Sequence, residues 1–185
     1  MPTKKTEMSK CIGRVTLECI TGDISAQHDI EAIVNAGDAQ MLPVDAAGRA
    51  IHRVAGPGLA DECSRFAPIK PGDAVLTRGY NLPNAWVIHC LGPRYNMDEP
   101  AAALLGDCYR YALLVADEHG ISSVAFPAIS IGEFGYPLSE AAAICARAVA
   151  GKIPHLARVK LIRFVFGGKE IRRQYEQALV SVGLL

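Results

Sequence analysis

Short apolar segments alternate with longer segments of helical composition along most of this chain. Strands are predicted at 14–20, 30–36, 73–80, 85–92, 122–128 and 159–166. Helices are predicted at 46–56, 58–67, 100–119, 138–152 and 169–182. Strands that alternate with helices form a sheet that helices cover on both faces, because each strand must bury both of its sides. We therefore predict an α/β protein.

The length and composition of the chain fit one globular domain. It has 185 residues, half of them hydrophobic and 21% charged, which favours a packed core over disorder. No internal repeat and no linker divides it. The polar start predicts a flexible tail over residues 1–10, followed by a single domain over residues 11–185.

Charge balance and cysteine usage exclude several classes of function. Lys plus Arg equals Asp plus Glu, 19 against 19, so nothing favours nucleic acid as a partner. The six cysteines form no C-x-x-C pair and the five histidines have no metal-ligand spacing, so we expect no metal. We also expect no cofactor. The absence of a long apolar segment and of a secretory signal predicts no membrane contact and a cytoplasmic location.

Two loops follow predicted strands and precede predicted helices, which is where α/β proteins often hold a phosphate. The loop at 129–137 contains Gly132 and Gly135 and leads into a helix N-terminus, so it is a candidate anion site. On periodicity alone, glycines in such a connection are more often typical of a structural turn. The loop within 35–52 carries Pro43 and Val44, where glycines would let backbone N–H groups approach an anion.

Three polar side chains lie near predicted strand ends. Asp23 follows the first predicted strand, and its carboxylate can accept a hydrogen bond from an exocyclic amine such as that of adenine. The alternative for Asp23 is an Asx turn or a helix N-cap. Asn35 and Asp38 follow the "AIV" strand, where a ligand would meet the edge of the sheet. Asn35 is equally suited to satisfying backbone groups of the loop.

Four segments together resemble the macrodomain family, in particular its bacterial and mitochondrial MacroD-like hydrolase (Appr-1''-p processing) branch. They are "GDI" (22–24) ahead of "IEAIVNA" (30–36), "AIHRVAGPGLADEC" (50–63), "GYNLPNAWVIHCLGP" (79–93) and "PAISIGEFGYPLSEAA" (127–142). The resemblance covers nearly the whole chain. It implies a three-layer α/β/α fold with a mixed, roughly six-stranded sheet. It also implies a cleft at the strand ends that binds ADP-ribose or an ADP-ribosylated protein.

The resemblance further implies roles for individual residues. Asp23 would bind the adenine amine, with the Ile24 backbone nearby, and an aromatic residue near Phe166 would flank the adenine. The loop at 130–134 would wrap the diphosphate with its N–H groups, and Phe134 would pack against the terminal ribose. The implied ligand-binding residues are Asp23, Ile24, Asn35, Asp38, Ala47, Gly48, Arg49, Ser130, Ile131, Gly132, Glu133, Phe134 and Phe166.

The first loop departs from the catalytic pattern of this family. Competent relatives carry a stretch like "NAANSSLLGGGGVDGAIH", which has the same length as Asn35 to His52. The Asp implicated in activating water is Gly48 here, and the Gly after it is Arg49. The other replacements are Asp38 for the second Asn, Pro43, Val44, Asp45 and Ala46 for the four glycines, and Ala47 for the Val.

These replacements predict a rebuilt loop. Pro43 has no N–H and a fixed φ, and the β-branched Val44 tolerates a positive φ poorly. Asp45 is a good N-cap, and helical sequence follows it directly. We therefore expect the helix to gain roughly one turn at its N-terminus and to fill part of the loop. Asp45 would reach the cleft only if the backbone also shifted.

The second loop departs from the family pattern as well. Ile131 replaces a Thr, and Glu133 replaces a small apolar residue. A carboxylate that points at a diphosphate repels it, whereas one that points to solvent is harmless. Arg49 is a candidate to offset Glu133, as an ion-pair partner or as a phosphate ligand. No catalytic residue is assigned, and Asp38, Asp45 and Glu133 are the candidates for a replacement base.

Three functions remain open on the sequence. The first is a module that binds ADP-ribose or a related ADP-ribosyl ligand with weak or no hydrolysis. The second is an ADP-ribosyl hydrolase or O-acetyl-ADP-ribose deacetylase that uses a relocated carboxylate. The third is a macrodomain that has changed its ligand, or lost it, and acts through protein contacts.

Overall fold

Strands and helices alternate in the computed structural model, which describes residues 8–185. The strands are β1 (Met8–Ile12), β2 (Val15–Thr21), β3 (Ala32–Ala36), β4 (Ala74–Arg78), β5 (Trp86–Cys90), β6 (Ser123–Phe126) and β7 (Leu161–Phe166). The α-helices are α1 (Ala46–Ala55), α2 (Pro57–Cys63), α3 (Ala101–Glu118), α4 (Leu138–Lys152) and α5 (Lys169–Ser181). Short 3₁₀ helices occupy Ile24–Ala26 and Ile153–His155.

The strands form one mixed sheet with the order β1-β2-β7-β6-β3-β5-β4. The strands from β2 to β5 in this order are parallel to one another, and β1 and β4 are antiparallel strands at the two edges. Parallel strands end at one side of a sheet, so the loops after β2, β7, β6, β3 and β5 meet along the same edge.

Helices cover both faces of this sheet. In β3, Ala32 and Val34 pack on the side of α3, α4 and α5, whereas Ile33 packs on the side of α1 and α2. Successive side chains of a strand point to opposite faces, so a strand between two helical layers is apolar at every position. The predicted three-layer α/β/α fold with a mixed sheet is confirmed.

The edge strand β1 corrects the predicted tail. Residues 8–10 pair with β2 in a tight hairpin, with Met8 opposite Cys19 and Ile12 opposite Val15. The strand is polar and largely exposed, as edge strands commonly are, so apolar periodicity did not mark it. It raises the strand count to seven among the described residues. The rest of the predicted tail, residues 1–7, lies outside the described residues.

The other predicted elements are present with small changes of boundary. The largest change is at the helix predicted over 58–67, which ends at Cys63 as α2. Pro68 follows Ala67, and the residue before a proline disfavours helical dihedrals. No helix among residues 8–185 is long and apolar enough to cross a membrane.

Candidate functional site

A cleft of about 530 Å³ runs along the edge where the parallel strands end. Its lining comes from the loops after all five of these strands and from the start of α1. The lining positions are 22–24, 36, 44–47, 50, 92, 127–134, 165–167 and 171. Many of these residues, such as Gly92, Val165 and Ile171, were not predicted from the sequence to bind a ligand. Only their position at a strand end or a helix start marks them.

The cleft is elongated because it crosses the ends of several strands. Asp23 follows β2 at one end, whereas Ala36 ends β3 towards the other. Three strand spacings of about 4.8 Å separate β2 from β3, which places the two ends roughly 14 Å apart. The structure therefore offers a groove with two distinct ends rather than a round pocket.

At the β2 end, Asp23 caps the first 3₁₀ helix. Its Oδ1 accepts hydrogen bonds from the Ser25 N–H at 2.8 Å and from the Ser25 hydroxyl at 2.7 Å. The N-cap considered in the sequence analysis is thus present, and Asp23 lines the cleft as well. Within residues 8–185 its Oδ2 has no hydrogen-bond partner. One acceptor therefore remains for a ligand.

Phe166 lines the same end of the cleft, although little of it is exposed. Its side chain is 1% exposed, and its ring lies 4.7 Å from that of Tyr175 and 6.2 Å from that of Phe164. The expectation that an aromatic near Phe166 flanks a base stays a prediction, because Phe166 lines the cleft and is at the same time almost fully buried. The apolar side chains of Ile24, Val165 and Ile171 also line the cleft at this end.

The loop after β6 lines the middle of the cleft with backbone. Hydrogen bonds from the Gly135 N–H to the Gly132 carbonyl (3.0 Å) and from the Tyr136 N–H to the Ser130 carbonyl (2.9 Å) close the loop. Across the described chain, the N–H groups of residues 131–134 have no hydrogen-bond partner. Four consecutive N–H groups without a partner, in a loop that lines the cleft beside the N-terminus of α4, are donors that an anion can use.

Ser130 and Gly92 fix where this loop sits. Ser130 has a φ of 67°, and its hydroxyl lies against Gly92, where a Cβ would overlap it. The Tyr95 N–H also donates to the Phe134 carbonyl at 2.8 Å. The loop after β6 is therefore held against the segment after β5.

At the other end, Asp45 caps α1 as predicted. Its Oδ1 accepts a hydrogen bond from the Gly48 N–H at 2.7 Å, and its carbonyl accepts one from the Arg49 N–H at 3.0 Å. Val44, Asp45 and the alanines that follow line the cleft. The rebuilt loop does not close the cleft, and Asp45 reaches it in the observed backbone.

Two residues predicted for the ligand have other roles. Asp38 closes a turn, because its Oδ1 accepts from the Leu42 N–H at 2.9 Å. Arg49 is exposed, and its Nη1 donates to the Val44 carbonyl at 2.9 Å rather than to Glu133. Neither Asp38 nor Arg49 lines the cleft. Each side chain finds a backbone partner within five residues, so neither is directed at the cleft.

Asn35 and Gly48 also do not line the cleft. They lie against each other where β3 packs on the first turn of α1. Asn35 is 1% exposed, and its Oδ1 has no hydrogen-bond partner in the described chain. A Cβ on Gly48 would lie 3.2 Å from this oxygen and 3.2 Å from the Asp45 Oδ1. A side chain at position 48 would therefore be tightly packed against the rebuilt loop.

The buried side chain of His89 contacts Asn35 from the neighbouring strand. His89 lies on β5 opposite Asn35, and its Nδ1 is 3.3 Å from the Asn35 Nδ2. The Nε2 of His89 is 2.8 Å from the Thr77 Oγ1. Burial, together with the smaller effect of the neighbouring His52, lowers the pKa of His89 to about 3. The ring is neutral at pH 7, so one nitrogen donates and the other accepts.

Acidic side chains dominate the charge of the cleft. Asp23, Asp45 and Glu133 line it, and no Lys, Arg or His of the described residues does so. Within residues 8–185, no group of three or more His, Cys, Asp and Glu side chains is arranged to hold a metal ion. An anion in this cleft must therefore be bound by backbone N–H groups.

A sheet between two helical layers, with a cleft across its strand ends, defines an α/β protein whose cleft is lined by a loop with four unpartnered N–H groups. Comparison with known sequences identifies the family. The Macro domain model matches residues 34–145, so the chain belongs to the macro domain family.

Relatives and solved structures agree with this assignment. The O-acetyl-ADP-ribose deacetylase of Salmonella typhimurium is 38% identical over 172 residues, covering 90% of this chain and 96% of that protein. A mutant of the Oceanobacillus iheyensis macrodomain with ADPR superposes with a TM-score of 0.90 at 31% identity, over 96% of this chain and 98% of that one. The Trypanosoma brucei macrodomain in complex with ADP has a TM-score of 0.81 at 31% identity, over 90% and 69% of the two chains.

Proposed function

We propose that this macrodomain binds ADP-ribose, or an ADP-ribosyl group on another molecule, in the strand-end cleft. The observation that carries the proposal is the row of four unpartnered N–H groups at residues 131–134. They supply donors for a diphosphate in a cleft whose side chains supply no cation. The Oceanobacillus iheyensis relative with ADPR supports the same ligand.

We infer where each part of the ligand lies from the chemistry of the groove. The free Oδ2 of Asp23 is an acceptor for the adenine amine, and Ile24 and Val165 offer apolar contact to the ring. The diphosphate lies along residues 131–134. The distal ribose then lies at the α1 end, where Phe134 and Ala47 form part of the wall.

The rebuilt loop argues for weak or absent hydrolysis. Gly48 has no side chain with which to activate water, and the carboxylate of Asp38 is committed to a turn. One oxygen of Asp45 is committed to the cap of α1. A general base needs a carboxylate free to take the proton of the attacking water.

Hydrolysis of an ADP-ribosyl bond or of O-acetyl-ADP-ribose is the second candidate, because Asp45 and Glu133 do line the cleft. The name of the Salmonella typhimurium relative supports it. In this case the Asp45 Oδ2 or the Glu133 carboxylate takes a proton from water as the water attacks the anomeric carbon of the ADP-ribosyl bond or the acetyl carbonyl carbon. The bond from that carbon to the leaving group breaks, and the leaving group takes up the proton. Asp45→Asn and Glu133→Gln then each test one base, and both variants keep the shape of the side chain.

Calorimetric titration with ADP-ribose tests the primary proposal, with AMP and ribose 5-phosphate as partial ligands. We expect micromolar binding of ADP-ribose and weaker binding of either part. Asp23→Ala should weaken binding, whereas Asp61→Ala, an exposed acid outside the cleft, should not. A folded protein that binds none of the three ligands would overturn the proposal.

A further inference from the structure

The loop after β6 contains a strained residue near its start. Ser130 has a φ of 67°, in the left-handed region that residues other than glycine rarely adopt. Among the non-glycine residues of the described chain with a positive φ, only Ser130 lines the cleft. The unpartnered N–H groups of residues 131–134 follow it directly, so their direction depends on the backbone at Ser130. Such a conformation persists only where the surrounding structure holds it.

Hydrogen bonds hold the backbone on both sides of Ser130. The Tyr136 N–H donates to the Ser130 carbonyl at 2.9 Å. The Ile129 N–H donates to the hydroxyl oxygen of Tyr109 at 3.4 Å. The first bond lies within the loop, whereas the second reaches a side chain of α3. Tyr109 therefore ties the residue before Ser130 to the helical layer beneath it.

The surroundings of Tyr109 fix its position. It is fully buried, and its ring lies 5.5 Å from that of Phe126, the last residue of β6. Burial raises the pKa of Tyr109, and those of its neighbours Cys145 and Tyr175, well above their ordinary values. None of the three is ionised at pH 7, so the Tyr109 oxygen is a neutral acceptor that keeps its own proton.

Tyr109 does not line the cleft, so it acts on a ligand only through the loop. Ile129 does line the cleft. Without the Tyr109 oxygen, the Ile129 N–H would have to turn to the hydroxyl of Tyr175, which lies beside it without a hydrogen bond of good geometry. A buried N–H group needs an acceptor, so the backbone at Ser130 would turn with it. The N–H groups of residues 131–134 would then change direction.

We propose that Tyr109 is a positioning residue for the ligand. Its hydroxyl holds Ile129, and through Ile129 it keeps the N–H groups of residues 131–134 in the arrangement that binds a diphosphate. This inference rests on the proposed function, since it requires that a diphosphate lies along these N–H groups.

Tyr109→Phe removes the hydroxyl and keeps the ring. We expect the affinity for ADP-ribose to fall about fivefold, the equilibrium factor that corresponds to one neutral hydrogen bond. The affinity for adenosine should hold, because adenosine lacks the diphosphate. Two-dimensional ¹H–¹⁵N NMR titration measures both affinities and reaches the weak binding expected of adenosine. In the same spectra, the amide resonances of Ile129 and of residues 131–134 should shift in the ligand-free variant.

Two control variants separate positioning from stability. Tyr111→Phe, on the same helix, removes an exposed hydroxyl outside the cleft and should change neither affinity. Val149→Ala removes buried methyl groups from the same hydrophobic cluster, in the last turns of α4 and away from the cleft lining. It should unfold at a lower urea concentration than the parent protein and bind ADP-ribose with the parent's affinity.

The outcomes distinguish this inference from the function on which it rests. A Tyr109→Phe variant that binds ADP-ribose as tightly as the parent would overturn the inference and leave ADP-ribose binding intact. A parallel loss of the affinities for ADP-ribose and adenosine would also overturn it, because it would show a general disturbance of the cleft. Failure of the folded parent to bind ADP-ribose would overturn the proposed function itself.

Discussion

The Nδ1 of His89 lies 3.3 Å from the Nδ2 of Asn35 on the neighbouring strand. An amide nitrogen donates, so the His89 Nδ1 accepts and its Nε2 carries the proton. The Nε2–H then donates to the Thr77 Oγ1 at 2.8 Å. This chain of donors turns the Asn35 carbonyl oxygen towards Gly48. The tautomer of His89 with its proton on Nε2 therefore sets the orientation of the Asn35 side-chain amide, which lies against the first turn of α1.

Thr77→Val should remove the hydrogen bond that favours this tautomer of His89, without changing the shape of the site. The valine cannot accept from the Nε2–H, so we expect a growing population with the proton on Nδ1. The Nε2–H then keeps only the Cys63 Sγ, a weak acceptor at 3.6 Å, so the change should cost about 1 kcal/mol of unfolding free energy. Imidazole ¹⁵N chemical shifts of His89 measure the tautomer. Unchanged shifts would show that Thr77 does not control it, and Thr16→Val on β2 is the control.

Acid should destabilise the fold through His89 and His52. Burial lowers both pKa values from 6.5, that of His89 to about 3. Below pH 6.5 the unfolded chain binds protons that the folded chain does not, so stability falls as pH falls towards 3. Each such group contributes up to about 1.4 kcal/mol per pH unit.

Urea unfolding between about pH 5 and pH 7 measures this slope, because the carboxylates stay ionised there in both states. His89→Gln should flatten the slope relative to the parent protein. A parent whose unfolding free energy is constant over this range would contradict the prediction.

Gly48→Ala should destabilise the protein although it adds a better helix former. Its Cβ would lie 3.2 Å from each of two oxygens, those of Asn35 and Asp45. We expect a loss of about 1–3 kcal/mol, the usual cost of overpacking. Gly151→Ala in α4 is the matched control: nothing lies within 4 Å of its Cβ, and it should gain roughly 0.5–1 kcal/mol. Thermal unfolding of both variants checks the contrast, and a Gly48→Ala as stable as the parent would contradict it.

Gly92→Ala should disturb the loop after β6, because the new Cβ would overlap the Ser130 hydroxyl. We expect weaker ADP-ribose binding and lower stability. Ser130→Gly removes the hydroxyl and suits the positive φ of that position. In a double-mutant cycle, the two changes together should therefore cost less than their sum. Additive costs would show that this contact does not hold the loop.

Local sequence signals predicted most of the elements and the cap of α1. Apolar periodicity is a property of a few neighbouring residues, so strands such as β3 and helices such as α4 could be located without the fold. Asp45 was predicted as an N-cap on the same basis, because helical sequence follows it. The resemblance to macrodomains supplied the topology and the position of the cleft.

Side-chain direction could not be predicted in the same way. Asp38 and Arg49 occupy positions that the resemblance assigned to the ligand, yet neither lines the cleft, and Phe166 lines it while almost fully buried. The two charged side chains bind backbone carbonyl or N–H groups of the rebuilt loop. Phe166 packs on Tyr175 from α5. These contacts depend on the path of a loop or on a distant helix, which no local pattern encodes.

The sheet separates two hydrophobic clusters, and the cleft borders both of them. Ile24 and Phe134 pack with the α1–α2 cluster, whereas Ile129 and Phe166 pack with the α3–α5 cluster. The α1–α2 cluster contains far fewer buried side chains, so its helices should open at a lower free energy. A ligand in the cleft contacts both layers at once and couples their opening. Amide hydrogen exchange in α1 should therefore slow towards the rate of α4 when the cleft is occupied.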